Sequence, residues 1–470
     1  MDNKDFRKYA HQLADRIADY YEDIEKYPVK SQVKPKEIFD LLPDKAPLES
    51  DDFEKILNDF DKIIMPGITH WQHPRFHAYF PANTSFPSLL GEMLTSALGA
   101  QCMMWETSPA AAELEEKMMI WLRQMIGLPK EFEGVIQDTA STATLVSILT
   151  AREHYSNFGI NKDGFNSAEN YRVYCSSEAH SSIEKAVKIA GIGKNNLVKI
   201  PVDEEFKMIP EELNDAVIFD IQRGYRPLCI VAALGTTGST AVDPLDEIGK
   251  IAKEYDIWLH VDAAYAGSAL ILPEFQKYLK GIEYADTFVF NPHKWLFTNF
   301  DCSAYFVRDK ESLIRTFEIM PEYLKTKVDL QVNNYRDWGI ALGRRFRALK
   351  LWFVLRSFGV NGLQEKLREH IRIANDLKIK IESHPEFEIL APLNFNVICF
   401  RYKPKSVNDD EKLNQINEQF LNKINSTGKA YLTHTKLKGK YTIRIVIAQT
   451  NVTKVHVEKT WELILGLIGK

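Results

Sequence analysis

The sequence predicts an α/β protein with a mixed, mostly parallel central sheet, followed by a smaller α+β domain. Between about residues 135 and 310, short β-rich runs alternate with helical patterns, which is typical of βα units that build a parallel sheet. After about residue 356 the pattern changes to a long helix, then strand signals and a closing helix. Ligands of such sheets bind beyond the carboxyl ends of the strands. We therefore expect functional residues at strand ends.

Two amphipathic helices are predicted ahead of the sheet. Residues 5–27 carry apolar side chains three and four positions apart, and residues 52–64 repeat this pattern before the stop Met65-Pro66-Gly67. The two helices cannot bury such wide apolar stripes alone. We expect them to pack against another body, such as a second subunit.

The individual elements follow from β-branched and aromatic runs and from helical periodicity. The central strands are predicted at 171–175, 197–202, 228–234, 257–261, 287–290 and 302–307. In the C-terminal part we expect a helix at 361–383, strands at 388–390, 396–401 and 442–448, and a helix at 453–467.

Composition and charge argue against several classes of partner. The 470 residues include 59 Lys and Arg against 64 Asp and Glu, a net charge of −5, which disfavours nucleic acid or an anionic membrane as the main partner. The N-terminus lacks the apolar core of a secretory signal, and there is no apolar stretch of spanning length. The five cysteines are far apart without Cys-x-x-Cys spacing, which indicates neither a disulfide framework nor a zinc cluster. We expect a soluble, cytoplasmic protein.

One lysine follows a predicted buried strand. Asn291-Pro292-His293-Lys294-Trp295 closes the apolar run 287–290. A lysine at the mouth of an α/β sheet can lose water, lower its pKa and become a Schiff-base nucleophile. The alternative is a solvated loop lysine. Asp262 ends another strand, where it is either a helix cap, a turn residue or a ligand contact in the same crevice. An aspartate on a ring nitrogen and a lysine on an aldehyde are how proteins hold pyridoxal phosphate.

Three further segments offer groups that this cofactor needs. Residues 138–144 place several hydroxyls at the start of a helical pattern, which suits a phosphate dianion but also fits a plain Ser/Thr cap. His180 follows the strand at 171–175, where its flat ring could stack on a planar cofactor or simply cap the next helix. Thr237 follows the strand at 228–234. Compatible groups thus follow four strands.

Seven motifs, in order along the chain, resemble those of the pyridoxal-phosphate-dependent aromatic L-amino acid decarboxylases, a family of group II decarboxylases. The similarity runs from the first helix to the last. The motifs are Tyr79-Phe-Pro81, Ala140-Ser141, His180-Ser-Ser182, Leu234-Gly-Thr-Thr237, His260-Val-Asp-Ala-Ala-Tyr265, Asn291-Pro-His-Lys-Trp295 and Leu342-Gly-Arg-Arg-Phe-Arg347.

The resemblance implies a fold, an assembly and an activity. The fold is the aspartate-aminotransferase-like fold (fold type I), in a homodimer whose N-terminal helices wrap around the partner. We accordingly expect a helical arm at 1–85, a large pyridoxal-phosphate-binding domain at 86–356 and a small C-terminal domain at 357–470. The implied reaction converts an aromatic L-amino acid (tryptophan, phenylalanine, tyrosine or a DOPA-like substrate) to its amine and carbon dioxide.

The resemblance also assigns roles. Lys294 becomes the Schiff-base lysine, Asp262 the partner of the protonated pyridine nitrogen, and His180 the residue that stacks on the ring. Thr237 would line the cofactor near its phenolic oxygen and His293 would flank the lysine. Ala140, Ser141 and Asn291 would contact the cofactor phosphate, and Ala264 would also contact the cofactor. The substrate pocket would be lined by Trp71, Tyr79, Phe80, Pro81, Ala82 and Gly343.

Some residues bear on product and substrate. Tyr323 lies in 320–327, which resembles the family's flexible lid, and it matches the catalytic tyrosine. Relatives with phenylalanine there tend to be aldehyde synthases that consume oxygen, so Tyr323 favours amine release, as does His180. Ala82 stands where animal DOPA decarboxylases have threonine, and Gly343 leaves room for an indole. These differences favour tryptophan or phenylalanine over DOPA.

Other interpretations stay open at this point. An aldehyde synthase or a glutamate-type decarboxylase would share the cofactor, although Trp71 and Phe80 disfavour an acidic substrate. A non-catalytic protein with this fold is disfavoured because the chemical residues are present. Three histidines in 70–77 suggest a metal site, but Pro74 disrupts any single helical face and no acid or cysteine completes the set. We therefore predict no metal.

Overall fold

The computed structural model describes residues 1–165, 170–319 and 331–468. The chain divides into two compact units. The large unit comprises Ala82–Ala374 and Ala391–Cys399, and the small unit comprises Met1–Pro81, Asn375–Leu390 and Phe400–Lys470. The division into domains 1–85, 86–356 and 357–470 stays a prediction.

The strands of the described residues form two sheets. They are β1 (Glu133–Gln137), β2 (Tyr171–Ser176), β3 (Leu197–Ile200), β4 (Arg226–Ala233), β5 (Trp258–Asp262), β6 (Thr287–Phe290), β7 (Ser303–Val307), β8 (Phe387–Ile389), β9 (Val397–Tyr402), β10 (Thr433–Leu437) and β11 (Lys440–Val446). The larger sheet has the order β1-β7-β6-β5-β4-β2-β3, and the smaller has the order β10-β11-β9-β8. In the larger sheet β2 to β6 pair in parallel, while β7 is antiparallel to β1 and β6. This confirms the predicted α/β fold class.

The helices account for most of the remaining regular structure in the described ranges. They are α1 (Asn3–Glu22), α2 (Glu37–Leu41), α3 (Phe53–Asp59), α4 (Phe86–Leu98), α5 (Pro109–Ile126), α6 (Ala140–Tyr155), α7 (Gly159–Asp163), α8 (Ser182–Ile189), α9 (Pro210–Gln222), α10 (Leu245–Glu254), α11 (Pro292–Trp295), α12 (Lys310–Phe317), α13 (Arg347–Ser383), α14 (Asp410–Ser426) and α15 (Lys454–Leu465). Gly359 has a positive φ of 63° and interrupts α13, so the helix predicted at 361–383 is its second part.

The central strands are buried because they are covered on both faces. Every residue of β6 and β7 is buried, and so is all of β4 except Arg226, the pattern of a sheet with helices on both sides. β1 was not predicted from the sequence. Its second residue is Gly134, where a Cβ atom would lie 2.9 Å from the ring of Phe306, so close packing requires a residue with low strand propensity.

The N-terminal helices form, and their apolar stripes are only partly covered in the single chain. Asp2 caps α1 by accepting hydrogen bonds from the N–H groups of Lys4 and Asp5 at 2.7 and 2.8 Å. No residue of α1 or α3 is buried. The segment predicted as a helix at 52–64 is α3 followed by a π-helical turn, Phe60–Ile64.

Two further findings concern the polarity of the helices and the state of the cysteines. In the described ranges, every helix is too short or too polar to cross a bilayer. All five cysteines are buried free thiols. The cytoplasmic location stays a prediction.

Candidate active site

Four neighbouring strands of the larger sheet end at the same edge. Asp262 is the last residue of β5, and Lys294 lies on α11, which follows β6 after one residue. His180 follows β2, and Thr237 lies in the loop after β4. The order β6-β5-β4-β2 places these strand ends side by side. The fold thus brings together the four residues that the sequence predicted.

Asp262 is held by the strands on either side. It pairs with Ala233 on β4 and with Val289 on β6. Its Oδ1 accepts a 3.0 Å hydrogen bond from the N–H of Ala264, which sets the turn that leaves the strand. The carboxylate is therefore fixed at the edge of the sheet by main-chain contacts.

The charges of Asp262 and Lys294 both affect the pKa of His180. Partial burial lowers the pKa of His180, the Asp262 carboxylate opposes this effect, and the Lys294 ammonium adds to it. The N–H of Ser182 donates to Nδ1 of His180 at 3.2 Å, and the Ser182 hydroxyl lies 2.8 Å from the same nitrogen. A neutral ring that accepts at Nδ1 carries its proton on Nε2. The three side chains therefore share one electrostatic environment.

The short helix that carries Lys294 is held through its main chain. The N–H of Lys294 donates to the oxygen of Asn291 at 2.9 Å, and the N–H of Asn291 donates to the oxygen of Ala264 at 3.0 Å. The side-chain amide of Asn83 donates to the oxygen of Lys294 at 2.9 Å. The N–H of Asn83 also donates to the oxygen of His293 at 3.0 Å. Asn83 thus binds two consecutive carbonyl groups of α11.

His293 is a buried, neutral neighbour of the lysine. Its Nδ1 accepts a 3.0 Å hydrogen bond from the N–H of Cys302. Burial, reinforced by the Lys294 charge, lowers the pKa of His293 to about 3. The ring is therefore uncharged at neutral pH and ties α11 to the residue before β7.

The start of α6 offers the groups of a phosphate cradle. Thr139 caps the helix by accepting from the N–H of Thr142 at 3.3 Å, so the plain capping role is also present. Ala140 is buried and Ser141 is exposed. N–H groups at a helix start favour a dianion without a basic residue. Asn291 is buried, and its Oδ1 accepts a 2.6 Å hydrogen bond from the hydroxyl of Ser303.

The loop that contains Thr237 is supported by a buried carboxylate, that of Asp243. Thr237 is exposed, whereas buried Asp243 accepts hydrogen bonds from the N–H groups of Ala233 and Met208 at 2.7 and 2.8 Å. Burial raises the pKa of Asp243 to about 6. At Gly235, with φ of 94°, a Cβ atom would lie 2.6 Å from the Cβ of Ala266. Only glycine fits this turn.

The predicted substrate residues fall in both units. In the small unit, the ring of Trp71 stacks on that of Tyr79 with centroids 5.7 Å apart, and the guanidinium of Arg444 lies 5.3 Å from the ring of Phe80. Pro81 is the last residue of the small unit's first segment. In the large unit, Ala82 is partly buried, and Gly343 lines a cavity of about 350 Å³. The predicted lid at 320–327, with Tyr323, lies outside the described residues.

Two of the three histidines considered for a metal make structural contacts. His77 lies within 3.1 Å of the oxygen of Val446 and 3.2 Å of the hydroxyl of Thr460. His70 contacts the hydroxyl of Tyr20 at 2.9 Å. Among the described residues, no three His, Cys, Asp or Glu side chains are arranged to hold a metal ion.

A sequence profile described as the pyridoxal-dependent decarboxylase conserved domain matches residues 35–403. The chain belongs to this decarboxylase family. Its cofactor is pyridoxal phosphate, and the site fits that group: an amine, a carboxylate, a neutral imidazole and a helix start without a basic residue lie at one sheet edge.

Relatives of this decarboxylase are similar over nearly its whole length. It is 43% identical to tyrosine decarboxylase 2 of Narcissus pseudonarcissus, over 98% of this chain and 94% of the relative. It is 44% identical to phenylacetaldehyde synthase of Arabidopsis thaliana, over 99% and 96%. The crystal structure of Catharanthus roseus tryptophan decarboxylase in complex with L-tryptophan superposes with a TM-score of 0.93 at 41% identity, covering 99% of this chain and 98% of that one.

Two residues of this decarboxylase's site region had no predicted role. Asn83 follows the Tyr79-Phe-Pro81 motif, but nothing local indicates that it contacts α11. His260 belongs to a quoted motif and is completely buried on β5. A polar residue two positions after a motif, or inside a buried strand, is the signal that could have identified them.

Proposed function

We propose that this protein decarboxylates an aromatic L-amino acid to the aromatic amine and carbon dioxide. The observation that carries the proposal is the shared environment of Asp262, His180 and Lys294 at the carboxyl edge of the sheet. A carboxylate, a neutral imidazole and an amine around one crevice are the groups that pyridoxal phosphate chemistry requires.

Each residue has a distinct task. Bound pyridoxal phosphate supplies the electron sink for the pair released when the bond between Cα and the carboxylate breaks. The Asp262 carboxylate keeps a proton on the ring nitrogen, which makes the ring a better sink. Lys294 is the residue that would hold the cofactor between turnovers. His180, neutral and protonated at Nε2, stacks on the ring and presents a hydrogen-bond donor without adding charge.

Other residues hold the cofactor in place. The start of α6 with Ala140 and Ser141 binds the phosphate together with Asn291, while Thr237 and Ala264 contact the cofactor from neighbouring strand ends. His293 flanks the lysine as a neutral ring. Their supports are the main-chain hydrogen bonds of α11 and the bond that the N–H of Ala233, at the end of β4, donates to the carboxylate of Asp243.

The alternative product is an aldehyde. The similarity to phenylacetaldehyde synthase favours this candidate, in which oxygen is consumed and peroxide is released. Tyr323 and His180 favour the amine, because a tyrosine hydroxyl can return a proton to Cα before oxygen reacts there. Trp71, Tyr79, Phe80, Pro81, Ala82 and Gly343 are the proposed substrate residues, and their apolar character suits an aromatic ring.

We also propose that the enzyme is a homodimer. On α4, five apolar side chains three to four positions apart or adjacent are between 46% and 65% exposed, namely Phe86, Leu90, Met93, Leu94 and Leu98. A contiguous apolar stripe of this kind marks a protein interface. The apolar stripes of α1 and α3, in which no residue is fully buried, support the same assembly.

The test is a panel of substrates. The holoenzyme is incubated with tryptophan, phenylalanine, tyrosine, DOPA and glutamate, and carbon dioxide, amine and peroxide are measured together. We expect amine and carbon dioxide in equal amounts from at least one aromatic substrate, and no turnover of glutamate. Lys294→Ala should abolish turnover, whereas Lys250→Ala, at an exposed ion pair with Asp246, should not. Carbon dioxide from glutamate alone would refute the proposal.

A further inference from the structure

A chain of buried hydrogen bonds joins α6 to the strands β5 and β6. The indole N–H of Trp258 donates to the hydroxyl of Ser147 at 3.0 Å, and this hydroxyl lies 2.7 Å from that of Thr287. Nδ1 of His260 lies 2.9 Å from the hydroxyl of Thr287, and its Nε2 lies 3.2 Å from the hydroxyl of Thr144. All five side chains are at most 2% exposed.

This chain of hydrogen bonds gives each of the buried polar groups a partner. Burial lowers the pKa of His260 to about 4, so at neutral pH one ring nitrogen donates and the other accepts. The hydroxyl of Ser147 accepts from Trp258 and can donate to Thr287. The hydroxyl of Thr287 can then donate to Nδ1 of His260, and Nε2 of His260 can donate to Thr144. Polar groups this deep in a core are tolerated because they are bonded.

The last contact of this hydrogen-bond chain, between His260 and Thr144, joins the two halves of the cofactor site. Thr144 lies one helical turn after Ala140 on α6, whose start is the proposed phosphate cradle. His260 lies two residues before Asp262 on β5, so both side chains point to the same face of the strand. The phosphate and the ring nitrogen are parts of one rigid molecule, and both can be bound only if α6 and β5 keep the right spacing.

We propose that His260 is a positioning residue for pyridoxal phosphate: its bond to Thr144 fixes the start of α6 relative to Asp262. This inference rests on the proposed roles of Ala140, Ser141 and Asp262. A site whose two halves are fixed in advance binds more tightly, because no ordering is needed on binding. Loss of the bond should therefore weaken the cofactor complex more than the apoprotein.

The experiment compares two identical substitutions on one helix. Thr144→Val removes the hydroxyl that His260 contacts. Thr150→Val is the matched control, since Thr150 is equally buried on α6 but its hydroxyl bonds to the oxygen of Val146 within the helix. The dissociation constant of pyridoxal phosphate is measured by titrating each apoprotein and following visible absorption and circular dichroism. The melting temperature of each apoprotein is measured in parallel.

We expect Thr144→Val to raise the dissociation constant about tenfold, which corresponds to about 1.4 kcal/mol, and to reduce the circular dichroism of the bound cofactor. Both valine variants should lower the melting temperature of the apoprotein by similar amounts. Thr150→Val should do so without changing the dissociation constant. Thr144→Ser, which retains the hydroxyl, should restore wild-type affinity. Equal dissociation constants for the two valine variants would overturn the inference.

A second substitution covers the case in which Thr144→Val does not fold. The amide of His260→Gln can reach the position of Nε2, whereas that of His260→Asn reaches only the position of Nδ1, next to Thr287. We expect the glutamine variant to bind pyridoxal phosphate more tightly than the asparagine variant, and the reverse order would contradict the positioning role. Because these readouts need no turnover, a wild-type protein that binds the cofactor but decarboxylates nothing would refute the proposed function alone.

Discussion

The side-chain amide of Asn83 donates a 2.9 Å hydrogen bond to the main-chain oxygen of Lys294. The N–H of Asn83 donates to the oxygen of His293, so one residue holds two consecutive peptide groups of α11. The lysine side chain starts from this helix of four residues. Its position therefore depends on a residue that belongs to another part of the chain.

Asn83→Ala should lower kcat by about tenfold, since misplacing a reacting group by a small distance is costly. The lost bond should also reduce the free energy of unfolding by about 1 kcal/mol. Asn417→Ala is the control, because buried Asn417 bonds the N–H and oxygen of Tyr402 at 2.7 and 2.8 Å. It should reduce stability and leave kcat unchanged. Equal kcat values in both variants would count against the role of Asn83.

Tyr323→Phe should redirect the product from amine toward aldehyde, ammonia and peroxide, because phenylalanine cannot donate a proton to Cα. Oxygen consumption, peroxide and amine are measured in the same reaction. Tyr174→Phe removes the 2.9 Å bond of a buried tyrosine to Asp220 and should change stability alone. If Tyr323→Phe still gave amine without peroxide at the normal rate, the lid assignment would be wrong.

Buried histidines should make the apoprotein less stable in mild acid. Burial lowers the pKa of His77 to about 4, whereas an unfolded histidine titrates near its ordinary 6.5. Between these values the unfolded state binds more protons, so stability falls as the pH falls from about 6.5 to 4. The midpoint of urea unfolding at pH 7.5 and 5.5 measures this loss.

His77→Gln should show a smaller loss between these two pH values than the wild type. His11→Gln, on the exposed side of α1, should retain the wild-type difference. A wild-type slope in the His77 variant would show that this ring does not contribute.

Disruption of the apolar stripe on α4 should dissociate the proposed dimer. Leu94→Asp places a charge in the middle of the stripe, and burying an unpaired carboxylate at an interface is unfavourable. Light scattering after gel filtration should give the mass of one chain, against two for the wild type. Ile379→Asp, at a side chain that is 64% exposed on α13, should stay dimeric. If the Leu94→Asp variant were still a dimer, the interface would not lie on α4.

Local patterns in the sequence were sufficient for much of the fold. Apolar runs predicted β2 to β7, and strand ends located Asp262, His180 and Lys294, because a buried parallel strand is apolar along its whole length. β1 was missed because Gly134 and its polar ends hide the pattern. The apolar stripes of the N-terminal helices were predicted for the same reason as the helices, since both follow from the 3.6-residue period.

By itself, the sequence determined the family and predicted which polar residues follow the central strands. The tertiary structure decided which distant residues hold those groups in place. Asn83 and Lys294 are 211 residues apart, and Thr144 and His260 are 116 apart. Such pairs depend on strand order and helix packing, which bring together segments without any local pattern in common. Short motifs indicate which reactive side chains are present. The positions of those side chains depend on contacts that form only when the chain folds.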